Sequence, residues 1–207
     1  MSLFITSCDK DDNDDHDHDH NHNTVVAPET YMFERDGQST VAFSGQTCRL
    51  QMAKDIYDAL NNPDMYTADQ VLEMFNDGTG FSYAYDCGKN VGGKTAASSS
   101  ASSTVKPMFD EMIEELFEEV APNWTITASM GVAGQITTSS GSTYQVNGQG
   151  LEMDQAFIKG LMGAMCADQM NNNYLTATKL DGDGTTNDTN GLGAGEYTDM
   201  EHYWDEG

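Results

Sequence analysis

The sequence predicts an all-α protein, an up-and-down helical bundle with long irregular loops. Apolar residues return at helical spacing in five segments, and capping and stop signals bracket most of them. Alternating runs of the kind that mark strands are almost absent, Tyr144-Gln145-Val146 being the one strand-like piece. A chain of 207 residues is also long enough to bury a substantial core.

The first helix follows the capping signal Ser44-Gly45-Gln46-Thr47 and places Leu50, Ala53, Ile56, Tyr57 and Leu60 on one stripe. Asn61-Asn62-Pro63 stops it. Thr67 and Gln70 form a capping box for a second, shorter helix carrying Val71, Leu72, Met74 and Phe75. An irregular stretch, 76–103, ends in a Ser/Ala run, and Thr104 with Pro107 opens a third helix, 107–120. Its apolar face is Met108, Phe109, Met112, Ile113, Leu116 and Phe117; its outer face is acidic and reads as solvated rather than as a calcium patch. After a small, flexible segment comes a long helix, 151–174, with Leu151, Phe157, Ile158, Leu161, Met162, Met165, Met170 and Tyr174 on its stripe. Its methionines read as core packing, and Gly160, Gly163, Ala164 and Ala167 allow another helix to approach closely. The fifth helix starts around Tyr203 and Trp204. Between the last two, Asp181, Asp183 and Thr185 have the spacing that opens a calcium loop, but Thr186 and Leu192 stand where Gly and Glu are needed, so the segment reads as a linker.

Charge narrows the partners. With 34 acidic against 9 basic residues and a net charge of −25, the chain repels phosphate backbones and anionic headgroups, which excludes nucleic acid. Cations, basic proteins and neutral molecules such as glycans remain. Cys8, Cys48, Cys87 and Cys166 form no CxxC pair, which gives a thiolate zinc site little support; their pairing stays open.

The first 27 residues have their own logic. Leu3-Phe4-Ile5-Thr6-Ser7-Cys8 resembles the end of a bacterial lipoprotein signal, so residues 1–8 read as a signal remnant with Cys8 as the lipidated residue. Lys10-Asp11-Asp12 resembles the acidic signal that sends lipoproteins of Bacteroidetes to the outer face of the outer membrane. Residues 9–27 read as a disordered, self-repelling tether. Within it His16, His18, His20 and His22 alternate with acidic or amide residues, which puts the imidazoles on one side of an extended strand. Such a tract suits Zn, Ni or Cu, without the fixed cage that would select among them.

Blocks in order along residues 28–206, among them "PETYMFERDGQSTVAFSGQTCRLQMA", "GKNVGGKTAAS", "GLEMDQAFIKGLMGAMCADQMNNNYL" and "YTDMEHYWDEG", resemble a Bacteroidetes lipoprotein domain family of unknown function. That family is in turn similar to the imelysins, helical proteins associated with iron acquisition. The resemblance implies an imelysin-like bundle over residues 28–207, truncated at the C-terminus as the first half of a longer domain. It also implies an iron or other divalent cation as ligand, and an outer-membrane transporter as partner. One departure matters: no Gly stands two residues before His202, as the imelysin metal motif requires.

His202 is the single histidine outside the tract. Asp205 at i+3 and Glu206 at i+4 share its helix face, with Glu201 adjacent and Glu152 and Asp168 of the long helix as further donors. Two ligands do not close a metal site, and a plain His–Glu surface pair with Trp204 in the core is the competing expectation. Catalysis is not expected, since HExxH, G-x-S-x-G and a close Cys/His pair are all missing, and peptidase activity has no carrier. The expected function is surface capture of a metal ion or metal complex; the alternative is a glycan- or protein-binding module using aromatics such as Tyr83, Tyr85 and Trp124.

Overall fold

A computed structural model describes residues 30–180 and 187–207. Cys8, the histidines at 16–22 and the calcium-like spacing at 181–185 lie outside the described residues. About half the chain is helical, with six α-helices and two two-stranded sheets among the described residues, so the fold is mostly helical.

The unit Met32–Gly207 starts with a small hairpin, β1 (Glu34–Arg35) against β2 (Gln38–Ser39). Its turn is Asp36-Gly37, both at positive φ (51° and 75°), the mirror-image geometry that suits the twist of a tight hairpin. Asp-Gly between short extended runs is the sequence signal of such a turn.

Helix α1 (Ser44–Leu60) begins with Phe43 in the capping position and no side-chain cap, so the expected Ser44 signal is not used. It ends at Leu60 ahead of the Asn-Asn-Pro stop, as expected. Helix α2 (Ala68–Asn76) carries both halves of the Thr67–Gln70 capping box. Helix α3 starts eight residues before the expected site, at Ser99 with Ser98 as its cap, and runs to Glu115, so Pro107 lies inside it. Ser and Ala tolerate the first turns, and the long helix keeps Pro107 because it loses one backbone bond while Phe109 and Ile113 hold the helix to the core. Wide i→i+5 turns continue it over Leu116–Val120 before Pro122 tightens the chain.

A second hairpin, β3 (Gly134–Thr137) against β4 (Thr143–Val146), extends the one expected strand piece by a partner the sequence analysis missed. Helix α4 (Met153–Met162) opens the expected long helix, which widens into i→i+5 turns over Gly163–Asp168 and Met170–Tyr174. Short α5 (Ala177–Leu180) and α6 (Asp199–Glu206) follow, α6 carrying its own Thr198–Glu201 capping box.

Helices α1 to α4 close a ring of contacts, α1 on α2, α2 on α3, α3 on α4 and α4 on α1. At its centre three rings meet, one from each of three helices: Phe75–Phe157 centroids are 5.5 Å apart, Phe109–Phe157 5.4 Å and Phe75–Phe109 5.9 Å. Gly160 faces Phe109, whose ring lies 3.5 Å from where a Cβ would stand. Met52, Ile56, Val71, Ile113, Leu116 and Leu161 complete the core. Leu50, Met108, Met162 and Met170, expected on the apolar stripes, are exposed because they lie off the buried arcs of their helical segments, and Leu151 is exposed because α4 starts only after it.

A disulfide, Cys48–Cys87, pins the irregular segment after α2 to the first turns of α1, leaving Cys166 free and exposed. The segment also needs Gly78: at φ 73° a Cβ there would stand 2.1 Å from the Lys89 carbonyl oxygen. The acidic outer face of α3 is only partly solvated. Glu115 accepts from Asn147 Nδ2, Glu119 from the Gly148 N–H, and Asp110 pairs with Lys106. No helix among the described residues is long and apolar enough to cross a membrane.

Candidate functional site

Helix α6 places the candidate ligands. Successive residues turn about 100° around a helix, so His202 and Glu206 share one face while Met200, Glu201, Trp204 and Asp205 share the other.

On the second face the carboxylates have structural duties. Glu201 Oε2 accepts from the Thr198 N–H at 2.7 Å, closing the capping box, and its Oε1 accepts from Arg35 Nη2 at 2.8 Å. Burial pushes this carboxyl up, but the Thr198 N–H and the Arg35 guanidinium outweigh it and hold Glu201 below the usual carboxylate range. Asp205 Oδ2 accepts from the Ala42 N–H at 2.7 Å. Together these contacts bind α6 to the β1–β2 hairpin and the segment leaving it. Between them lies a largely apolar groove of about 390 Å³, lined by Phe33, Thr40, Met200, Glu201, Trp204 and Asp205. Trp204 is 53% exposed there rather than buried in the core as its competing expectation had it.

The first face is different. The His202 ring is set by stacking on Tyr197, centroids 5.0 Å apart at 22°, and not by hydrogen bonds. Its Nδ1 is buried with no partner, and its Nε2 stands 3.8 Å from Glu206 Oε2. That gap is too long for a hydrogen bond. It is near the roughly 3–3.5 Å separating two donors that each sit about 2.1 Å from one ion. Beside the pair, Lys179 Nζ lies 4.1 Å from the Tyr203 ring centroid, and the Glu206 charge acts on it.

The remaining expected ligands are not brought to this face. Asp168 Oδ2 accepts from the Ala97 N–H at 2.5 Å and its Oδ1 from Asn172 Nδ2 at 2.7 Å, fixing the long helix to the segment before α3. Glu152 occupies the capping position of α4 and lines a groove under the β3–β4 hairpin with Gln155 and Lys159. Sixteen helical residues, about 24 Å of rise, separate Glu152 from Asp168, so the two do not serve one ion. Among the described residues no three His, Cys, Asp or Glu side chains are grouped closely enough to hold a metal ion. A cation on His202 and Glu206 would therefore take its other ligands from outside these residues.

Of the aromatics considered for glycan contact, Tyr83 is exposed but its hydroxyl is 2.5 Å from that of Tyr85, which donates to Asp55 at 2.8 Å; burial and these partners push the Tyr85 phenol well up. Trp124 packs against the core. Sequence reasoning missed a cluster of Lys94, Lys179 and Tyr174 at the end of the long helix. Its one visible sign was Lys94 within "GKNVGGKTAAS".

No curated protein and no solved structure matches the chain. One family does, over residues 28–207, and it is described as a domain of unknown function. With nearly the whole sequence matched, the chain belongs to that family, DUF4856.

Proposed function

We propose that the chain is a non-catalytic surface lipoprotein, imelysin-like in fold, that captures a metal complex for uptake. The observation that carries this is the His202–Glu206 pair. Both side chains sit on one helical face at near-chelating distance, and among the described residues neither makes a hydrogen bond that a structural role would require. Glu201 and Asp205, by contrast, are occupied in holding α6. The other coordination positions fall to the chelator or to an outer-membrane partner. The Cys48–Cys87 disulfide supports an exported location, since such bonds persist in oxidising compartments. On this reading Cys8 carries the lipid anchor and residues 9–27 hold the domain away from the outer membrane. Dialysing the intact chain against ferric citrate and against Zn, with metal content read by mass spectrometry, tests it. Retained metal that falls in His202→Ala supports the proposal, and no retained metal refutes it.

The groove favours a second reading, a glycan-binding module. Trp204 and Phe33 offer apolar ring faces beside the Glu201 and Asp205 carboxylates, the combination that grips a sugar's C–H and O–H faces. Loss of binding to a neutral polysaccharide in Trp204→Ala, with His202→Ala unaffected, is the result that would favour it.

A further inference from the structure

The protein carries 25 more negative than positive charges, yet two of its few lysines stand at one ring with no carboxylate among the described residues within ion-pair distance. Lys94 Nζ donates to the Tyr174 hydroxyl at 2.7 Å and stands 4.9 Å from the ring centroid; Lys179 Nζ stands 5.2 Å from the same centroid. Both lysines are half-buried, and Tyr174 is 4% exposed.

The hydroxyl's own hydrogen is the informative part. Gln46 Oε1 accepts from Arg49 Nη1 at 2.9 Å, which fixes the amide so that Gln46 Nε2 donates to Tyr174 at 2.9 Å. With Lys94 donating as well, both lone pairs of the phenolic oxygen are filled. Its O–H must then point to an acceptor, and no described residue supplies one. A buried phenol O–H without an acceptor is costly, as is holding two ammonium groups at one ring, even though Lys179 Nζ also donates to Asn173 Oδ1 at 2.7 Å. Lys179 shows the cost: burial, and then the Lys94 charge, push its pKa down, with Glu206 opposing.

We propose that Lys94, Lys179 and the Tyr174 hydroxyl form a subsite for a small oxyanion, a carboxylate or a phosphate. One anion oxygen accepts the Tyr174 O–H while the two ammonium groups neutralise its charge. The site stands on its own geometry and does not depend on metal binding at His202. If a metal complex is the cargo, however, a chelator bearing carboxylates would reach both, because Lys179 sits against Tyr203 of the helix that carries His202.

The test is calorimetric titration of the full chain, stripped of metal and then dialysed free of chelator, with inorganic phosphate and separately with acetate, each against sodium chloride at matched ionic strength. The proposal expects one saturable site for at least one of the two anions. Lys94→Gln and Lys179→Gln should each weaken it at least tenfold, while Lys54→Gln, on an exposed pair with Asp58, leaves it unchanged. The tighter arm identifies the oxyanion as phosphate or carboxylate. Both lysine variants change half-exposed side chains, so folding survives them, and circular dichroism checks that it does. Heats no larger than those of the chloride control overturn the proposal, as does binding that both lysine variants leave intact.

Discussion

Replacing Cys48 and Cys87 together by serine should cost the fold more than any surface change. The bond closes a loop across 39 residues of sequence separation. The chain-entropy relation gives about 4 kcal/mol for a loop of that size, within the usual range for native disulfides. For a chain of this length each kcal/mol moves the midpoint of thermal unfolding by roughly 2–4 °C, so the expected fall is about 8–16 °C. The loss should be local first, because the bond anchors a segment with little secondary structure of its own, whose other ties include the Tyr85–Asp55 hydrogen bond at 2.8 Å and the Arg49–Asn90 hydrogen bond at 3.2 Å. Thermal unfolding followed by circular dichroism, with and without a phosphine reductant, reads the magnitude. Peptide mapping after alkylation under denaturing, non-reducing conditions reads the pairing, with exposed Cys166 labelled and Cys48 and Cys87 protected. Alkylation of Cys48 and Cys87 without reductant, or unchanged melting in the serine variant, would refute the reasoning and remove the support for an oxidising compartment.

Two other outcomes follow from the packing and charge. Phe157→Ala, which empties the centre of the three-ring cluster, should destabilise by about 3–5 kcal/mol in urea unfolding. Glu201→Gln keeps the capping box, since Gln serves at that position, but loses the charge facing Arg35, at a cost of about 0.5–1 kcal/mol at neutral pH. Because the folded carboxyl is held below the usual carboxylate range, its contribution is complete above that range and disappears as pH falls through the lowered value. Wild type and variant should therefore converge in acid, as denaturation midpoints measured from pH 7 downward would show; a difference that grows in acid contradicts the assignment.

Much of the helical fold was legible in the sequence, for physical reasons that differ by element. Thr67 with Gln70 and the Asn-Asn-Pro stop are local chemistry, and both worked as read. Helix α3 was misread because Pro107 is a strong local signal for a helix start, while the serines before it are weak formers. Burial of Phe109 and Ile113 against α2 and α4 overrode that preference. The hairpin partner 134–137 was missed because three of its four residues are Gly or polar, and it pairs across a turn rather than through an apolar pattern. At the site, spacing put His202, Asp205 and Glu206 together, and only the structure separates them by duty. Asp205 is taken by the backbone N–H of Ala42 in the segment leaving the hairpin, a contact 163 residues away in sequence that no helical wheel foretells. The same holds for Cys48 with Cys87, and for Tyr174 with Lys94, 80 residues apart.

Calorimetry on the full-length chain with His16, His18, His20 and His22 all replaced by asparagine tests the metal account most directly. Titrated with Fe, Zn, Ni, Cu and Ca, each as the free ion and as its citrate complex, this variant isolates the α6 face from the tract. The account predicts that one stoichiometric site survives, favours the citrate complex, and is lost on adding His202→Ala or Glu206→Ala. Binding that vanishes with the four tract histidines, or that survives both α6 substitutions, would contradict it.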